Sequence, residues 1–577
     1  MSVALRDQRL SLRDLQEVNR SPRRAGDSRG SVPRPLVSVF SFIAVLAVLA
    51  ARNAFLFSNR YYEVGDEGAN SILIEQARQF KLLVGNYSRL GFNHPGPAYL
   101  YVQAWGEELC YDLLHVVPTP WNGQLLAVYA QNSVFVALAV AVVYGWARSL
   151  PAAAASLAAI AAFAAIHPMI WSSDWMPYLY VLTYALFIHA AASVAAGAAR
   201  DVWIFALAGW FLIHGHAEYL FFVPALTVVV LAALCWPRRR RILTALRTSA
   251  GASSRAFLAR RRRAWIPAAA ISAIFLLPIL INLALHWPGN FGRYFSYGSS
   301  SQAGGHSVAA VTRYVLWFWW PGSTAPAARL VGFIPLLSYV ISSELAWWCT
   351  RGPVRRFLLT VLGVNAVSFA AFIAYAALGI DNLTRNGQYI GYFSWSGPLL
   401  TGVVSAVALA EGARRAPSRT AAKRVLPGAA AALVAAGAIA AFAATPLART
   451  STSYSDPGAP WMSPPDTDAA IPGAVATLAA RSPGQTLVLH LGHEAWIDLT
   501  GFLVQAERTG VRACVDNPQW EVVVSGQFIC TPHEAAAGAP YYFRFTGVPE
   551  RGQVITRMNA TWVTAASGPP SSSASPP

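Results

Sequence analysis

The sequence predicts an all-α polytopic membrane protein of about 11 transmembrane helices, with a small C-terminal extracytoplasmic α/β domain. Hydrophobic residues make up 55% of its 577 positions and charged residues only 12%, about half the charged fraction usual in soluble domains. Several apolar runs approach the roughly twenty residues that cross a bilayer as a helix. After the last run the composition changes to short strand and helix patterns. These observations exclude a soluble enzyme and a disordered chain.

Eleven apolar runs are long enough to be spans, and they follow a polar arm at 1–35. We assign 36–445 to the transmembrane region, whose longest polar interruption is the loop 58–123. The predicted spans are roughly 36–57, 124–147, 151–171, 177–199, 202–217, 218–236, 265–285, 331–349, 357–379, 397–413 and 425–445.

Basic residues orient these spans, because short cytoplasmic loops are enriched in Lys and Arg. With the N-terminus inside, the cytoplasmic segments hold 28 basic and six acidic residues, a charge of +22. The rest of the chain carries −5, which gives the net charge of +17. The C-terminus is then extracytoplasmic, and the basic loop 238–263 anchors against anionic lipid rather than nucleic acid. Forty-two Arg against two Lys indicate a GC-rich bacterium, so we expect the bacterial plasma membrane.

The region after the spans divides into three parts. A linker rich in Pro, Ser and Thr occupies 446–472, a domain follows at 473–566, and 567–577 is a Ser/Pro tail that we expect to be disordered. The residue patterns of the domain predict strands at 486–491, 511–515 and 521–524 and a helix at 494–508.

Two cysteines of this domain are candidates for a disulfide. Cys514 and Cys530 are 16 positions apart in a domain expected outside the cytoplasm, where oxidation is allowed. Two unpaired thiols are the alternative.

The first outer loop carries two polar motifs in order. Asp66 and Glu67 follow the first span, and the sequence His-Pro-Gly-Pro begins 28 residues after Asp66, at His94. Between them, apolar residues at helical spacing predict a helix over 71–83 that lies in the membrane interface, apolar face down. An acid pair at the mouth of a span is costly when desolvated, which favours a functional role; a solvated turn is the alternative.

This order of motifs resembles the GT-C superfamily of polyprenyl-phosphate-sugar glycosyltransferases, above all its protein O-mannosyltransferase and aminoarabinose-transferase branch. In that branch the first outer loop carries an acid followed by a His-Pro-Pro-Leu-like motif. Here Gly96 displaces the second proline by one position. That departure indicates a different subfamily, nearer the actinobacterial cell-wall arabinosyl- or mannosyltransferases. The resemblance covers roughly residues 36–200.

The resemblance also makes an acid expected in the second outer loop, where relatives often carry one. Asp174 is the only charged residue of that loop in this sequence, and it lies between Trp171 and Trp175. Taken alone, the two tryptophans fit an aromatic belt at the membrane interface.

The resemblance implies transfer of a monosaccharide from a polyprenyl-phosphate donor to a glycan, lipid or protein acceptor on the extracytoplasmic face. Such a reaction needs a general base for the acceptor hydroxyl. Asp66 is our first choice, Glu67 the second, and Asp174 a further catalytic candidate. Membrane lipids are expected partners, and nucleic acid is not.

The departing polyprenyl phosphate needs cationic or hydrogen-bonding groups. Arg293, Arg313 and Arg385 are the outer candidates, because one guanidinium binds two phosphate oxygens. Arg385 is favoured, since it lies in a dense polar loop. His94 is a candidate for contact with a phosphate or sugar hydroxyl, or a helix cap. For each arginine the alternative is snorkelling to lipid headgroups.

A third cluster lies between the fifth and sixth spans. His214, His216 and Glu218 occupy alternate positions there. Two imidazoles and a carboxylate can ligate a divalent metal ion or contact substrate, but a tight turn between two spans explains them as well. No other cofactor is indicated.

Two other classes of protein stay open. A secondary transporter or a lipid-linked glycan flippase would share the topology, although the sequence lacks the matched, Gly/Pro-interrupted spans of inverted repeats. A non-catalytic scaffold would recruit a partner through its C-terminal domain.

Overall fold

The computed structural model describes residues 32–235 (without 89 and 168), 252–299, 306–319, 333–378, 385–415, 470–545 (without 493 and 494), 554–558 and 561–565. The arm up to residue 31, the predicted span at 425–445, most of the linker and the tail at 567–577 lie outside the described residues.

Helices dominate the described residues. In chain order they are α1 (Arg34–Arg52), α2 (Gly65–Arg78), α3 (Ala98–Glu107), α4 (Pro120–Ala147), α5 (Leu150–Ile166), α6 (Met176–Ala195), α7 (Val202–Gly215), α8 (Tyr219–Cys235), α9 (Ala252–Leu285), α10 (Gly289–Ser299), α11 (Val308–Trp317), α12 (Phe333–Cys349), α13 (Gly352–Ala377), α14 (Ser396–Arg415), α15 (Ala470–Arg481) and α16 (Trp496–Arg508). Three shorter α-helical segments lie at Met169–Ser172, Glu521–Val524 and Pro532–Ala537.

Ten of the eleven predicted spans coincide with helices, namely α1, α4 to α9 and α12 to α14. By length and composition, six helices of the described chain can cross a membrane: Arg34–Arg52, Pro120–Ala147, Met176–Ala195, Ala264–Leu285, Gly352–Ala377 and Tyr389–Arg415. Four more apolar helices are shorter: Leu150–Ile166, Tyr219–Leu234, Val308–Trp317 and Phe333–Cys349. This is a multi-pass membrane fold, as the apolar runs predict.

Helix α6 lies at the centre of the bundle. Every one of its 20 residues is buried, and it packs against α4, α7 and α13. A run of small residues at Ala190, Ala191 and Ala192 lets neighbouring helices approach closely, which is how membrane helices gain packing energy.

The first loop, residues 53–119 between α1 and α4, contains α2, α3 and a two-stranded hairpin of β1 (Tyr87–Ser88) and β2 (Phe92–Asn93). The predicted interfacial helix over 71–83 is wrong in both position and surroundings. The helix is α2, which begins at Gly65 and ends at Arg78, and its apolar residues are buried inside protein. Ala69 and Ile72 of α2 pack in the core of the C-terminal domain, and the local sequence pattern does not predict this contact.

The C-terminal domain is a five-stranded mixed sheet with α15 and α16. Its strands are β3 (Leu487–Leu491), β4 (Ala513–Val515), β5 (Ala539–Phe545), β6 (Val554–Met558) and β7 (Thr561–Ala565). In space the order is β4-β3-β5-β7-β6; β3 is parallel to β4 and β5, and the other pairs are antiparallel.

Part of this domain follows its sequence prediction. The first two predicted strands and the helix are confirmed as β3, β4 and α16. The strand predicted at 521–524 is wrong, because Glu521–Val524 forms a helical turn that buries Val523 and Val524 in the domain core. Packing here overrides the strand preference of valine.

A disulfide joins Cys514 in β4 to Cys530, with a sequence separation of 16 residues. On a loop-entropy basis, closing a loop of this length stabilises the domain by about 3 kcal/mol.

Candidate active site

Asp66 lies in the first turn of α2. Gly65 begins the helix with φ of 59°, a left-handed conformation that favours glycine. The half-buried Asp66 carboxylate accepts one hydrogen bond from the Tyr87 hydroxyl and another from Trp175 Nε1 at 2.8 Å. The helix N-terminus also favours a negative charge at this position. Asp66 is therefore held by two neutral donors from different elements.

Asp174 lies next to one of these donors. It is 3% exposed and accepts a hydrogen bond from Trp121 Nε1, in the first turn of α4, at 2.7 Å. Asp174 and Trp175 are consecutive residues of the turn before α6, and Trp175 donates to Asp66. This one turn therefore contacts Asp66 and carries Asp174.

The groups that surround the two acids carry no local sequence signal. Nothing in the pattern marks Tyr87 or Trp121, and Trp175 alone fits an interfacial aromatic. Glu67, the second choice for the base, is 4% exposed on the buried side of α2, whereas Asp66 is half-buried.

Aromatic rings extend from the Asp66 site along the bundle. The Trp175 ring lies 5.5 Å from the Tyr389 ring and 6.2 Å from the Tyr392 ring. Tyr392 stacks on Trp395 at 4.4 Å, and Trp317 stacks on Trp395 at 5.7 Å. An apolar wall therefore begins at the residue that donates to Asp66.

The motif that begins at His94 packs against the turn between α7 and α8. His94 is 4% exposed, its Nδ1 accepts a hydrogen bond from the Ala217 N–H at 3.2 Å, and its ring lies 4.2 Å from the His216 ring. Burial, with His216 beside it, holds the pKa of His94 well below its usual value. A neutral His94 keeps Nδ1 as an acceptor.

Gly96 explains the departure of this motif from His-Pro-Pro. A Cβ at position 96 would lie 2.4 Å from His214 Nδ1, so no side chain fits there without movement of His214. The geometry favours a packing role for His94 and its motif over contact with phosphate.

The three candidate metal ligands have other partners. His214 Nδ1 accepts from the Ala98 N–H at 3.2 Å, and its Nε2 lies 2.9 Å from the Phe275 carbonyl, so both ring nitrogens are engaged. His216 Nδ1 lies 3.5 Å from Glu218. Across the described ranges, no group of three His, Cys, Asp or Glu side chains is arranged to hold a metal ion. The structure favours the tight-turn interpretation.

The three candidate phosphate-binding arginines are spread over three elements. Arg293 of α10 is exposed and donates to the Gly91 carbonyl in the hairpin turn. Arg313 of α11 is exposed, and its Nε donates to the Ala309 carbonyl of its own helix at 3.4 Å. Arg385 begins the 3-10 segment that leads into α14, and its side chain lies outside the described atoms.

An ion cluster joins the C-terminal domain to the first loop. Arg508 of α16 donates to Glu63 at 2.6 Å, to Glu75 at 3.0 Å and to Glu107 at 3.4 Å. Arg78 donates to Glu107 at 2.7 Å. No local sequence pattern predicts this cluster, because its members are up to 445 residues apart.

The cluster predicts a pH dependence of stability. Burial raises the pKa of Glu107 to about 7, although Arg508 opposes the shift. Because the folded protein then binds this proton more tightly than the unfolded chain, the contribution is complete below about pH 4.5 and is lost as the pH rises through about 7. We expect the free energy of unfolding in detergent to rise by on the order of 1–3 kcal/mol as the pH falls across this window, and the unfolding midpoint to rise with it. Glu107→Gln should flatten this dependence; an unchanged pH profile would contradict it.

Together these features define the class of fold: a multi-pass membrane helical bundle with a small sheet domain at its C-terminal end. The chain is similar to the crystal structure of ArnT from Cupriavidus metallidurans bound to undecaprenyl phosphate, with a TM-score of 0.51 over 91% of this chain and 97% of that chain. Sequence identity is 14%, so the likeness shows a shared fold alone. No family model and no curated protein matches the sequence.

Proposed function

We propose that this chain is a membrane glycosyltransferase that moves a monosaccharide from a polyprenyl-phosphate donor to a glycan, lipid or protein acceptor on the extracytoplasmic face. The observation that carries the proposal is the pair of acids, Asp66 and Asp174, held by indole N–H groups on adjoining elements of a GT-C fold. ArnT, which has a similar fold, was crystallised with undecaprenyl phosphate.

In the proposed reaction the acceptor hydroxyl attacks the anomeric carbon of the donor sugar. Its proton passes to the Asp66 carboxylate, and the bond to the phosphate oxygen breaks with its electron pair, which releases polyprenyl phosphate. Each oxygen of Asp66 accepts one hydrogen bond in the structure, so a lone pair is left for the proton. General-base assistance of this kind contributes about 10²–10⁴-fold to rate.

Phosphate stabilisation is assigned to arginine. Arg293, Arg313 and Arg385 stay the candidates, because one guanidinium can bind two phosphate oxygens. We assign His94 and His214 to packing of the first loop, and His216 with Glu218 to the tight turn between α7 and α8. For the sugar we propose arabinose or mannose, in keeping with the resemblance to cell-wall transferases.

A donor-cleavage assay tests the proposed function. The purified protein is incubated in detergent with radiolabelled polyprenyl-phosphate arabinose or mannose and a glycan acceptor, with the matching nucleotide sugar as the control donor. We expect polyprenyl phosphate and labelled acceptor to form from the lipid-linked donors and not from the nucleotide sugar. Movement of intact donor across proteoliposomes without cleavage would instead identify a transporter or flippase.

A further inference from the structure

We propose that the C-terminal domain positions the helix that carries Asp66, with Thr500 and Arg508 as positioning residues. This inference rests on the proposed function, since it concerns the same carboxylate. It makes the domain a structural part of the active site rather than a module that only recruits a partner.

The packing of α2 is the first support. Ala69 and Ile72 of α2 belong to the hydrophobic core of the C-terminal domain, together with residues of α15, α16 and the sheet. Leu73, Ile74 and Ala77 belong to the core of the helical bundle. Helix α2 is thus held between two cores, and its orientation depends on both.

The contact is closest at the beginning of α2, beside Asp66. Thr500 Oγ1 lies 3.0 Å from the Gly65 carbonyl and 3.0 Å from the Ile497 carbonyl of its own helix, so its one hydroxyl hydrogen is shared between the two acceptors. A Cβ at Gly68 would lie 2.5 Å from Thr500 Oγ1, and a Cβ at Gly501 would lie 2.3 Å from the Glu63 carbonyl. Glycines at both positions let the two backbones meet, so α16 fixes the turn from which the carboxylate projects.

Arg508 holds both ends of α2. Glu63 precedes the helix and Glu75 lies in its last turn, and both accept hydrogen bonds from this one guanidinium. Burial alone would lower the pKa of Arg508, but Glu63, Glu107 and Glu75 raise it above the usual value, so the side chain stays charged. A guanidinium shared by three carboxylates has a fixed geometry.

The domain also supports a group that donates to Asp66. Tyr87 is 7% exposed and packs in the core of the C-terminal domain, while its hydroxyl donates to Asp66. A shift of the domain would therefore move the helix and this donor together. Small displacements of a catalytic group reduce rate far more than they reduce substrate binding.

Thr500→Val tests the proposal. Valine keeps the branched shape next to Gly68 but removes the hydroxyl that donates to Gly65. We expect kcat to fall about two- to tenfold, the effect of one net hydrogen bond. The KM for the lipid donor should stay within about twofold, and the acidic limb of the kcat profile should shift. Thr500→Ser, which keeps the hydroxyl, should recover most of kcat.

Thr509→Val is the matched control, because Thr509 caps the same helix by donating to the Gln505 carbonyl at 2.7 Å and is exposed. Hydrogen–deuterium exchange over 65–78 adds a readout independent of turnover: α2 should exchange faster in Thr500→Val and not in the control. A transferring wild type with unchanged kcat, pH profile and exchange in Thr500→Val would overturn the proposal, as would an equal loss in Thr500→Ser. If the wild type transfers no sugar, the proposed function fails, and the exchange data alone decide whether the domain holds α2.

Discussion

Asp66→Asn is expected to reduce sugar transfer about 10²–10⁴-fold while the protein stays folded and binds its lipid donor. The substitution fits the site. Trp175 Nε1–H can only donate, so the amide oxygen must face it, and the amide N–H₂ then faces the Tyr87 hydroxyl, which can turn to accept. Both hydrogen bonds survive, and the loss of activity then reports the lost base rather than a distorted helix. The measurement is kcat in the donor-cleavage assay, with the unfolding midpoint recorded in parallel.

Glu67→Gln is the control for this substitution, because it changes the neighbouring acid in the same helical turn. We expect it to keep kcat within about tenfold of the wild type. The assignment of the base is wrong if Asp66→Asn retains activity and Glu67→Gln loses it. If both single variants retain activity, neither acid is the base, and Asp174 becomes the next candidate.

The sequence predicted the helical bundle well, and the reason is physical. A bilayer imposes a minimum apolar length on every span, so each span is recorded in its own local sequence. Even the pair divided at His214 and His216 forms two separate helices, α7 and α8. Strands β5, β6 and β7 were not predicted, because short half-buried strands leave a weaker local pattern.

The candidate site was only partly predictable. Asp66 and Asp174 stand out because isolated acids beside apolar runs are unusual. The groups that hold them are aromatic residues, which occur throughout membrane-interface segments and so carry no distinctive signal. The contacts of α2 with Thr500 and Arg508 join positions more than 430 residues apart, and no local periodicity records such a contact.

The resemblance to GT-C enzymes points to the first outer loop but does not assign a role to each residue in it. It placed His94 among the phosphate-binding candidates, whereas the structure buries that ring against His216. A motif can mark a place where two parts of a fold must fit together. Gly96, which appeared to weaken the resemblance, has a steric reason in the position of His214.

Arg508→Met is expected to destabilise the C-terminal domain strongly. The Arg508 side chain is 13% exposed, and those of Glu63 and Glu107 are fully buried. Removal of the guanidinium takes this cation from the buried Glu63 and leaves Glu107 with Arg78 among the described residues, and loss of one partner of a buried ion pair costs about 3–5 kcal/mol. We expect a lower unfolding midpoint, rapid proteolysis between the bundle and the domain, and reduced transfer. Arg544→Met is the matched control, since Arg544 is exposed in the same domain and should change stability by less than about 0.5 kcal/mol.

The pH dependence of this loss separates an electrostatic cause from simple loss of packing. Arg508 lowers the pKa of Glu107, so in Arg508→Met that pKa should rise above its wild-type value of about 7. The carboxyl can then take up a proton near neutral pH, and a protonated carboxyl needs no cation. The destabilisation should therefore be large at pH 8 and much smaller at pH 5.5, and Glu107→Gln in the same chain should recover part of it at pH 8. A loss of equal size at both pH values would mean that Arg508 acts through the packing of its methylene groups.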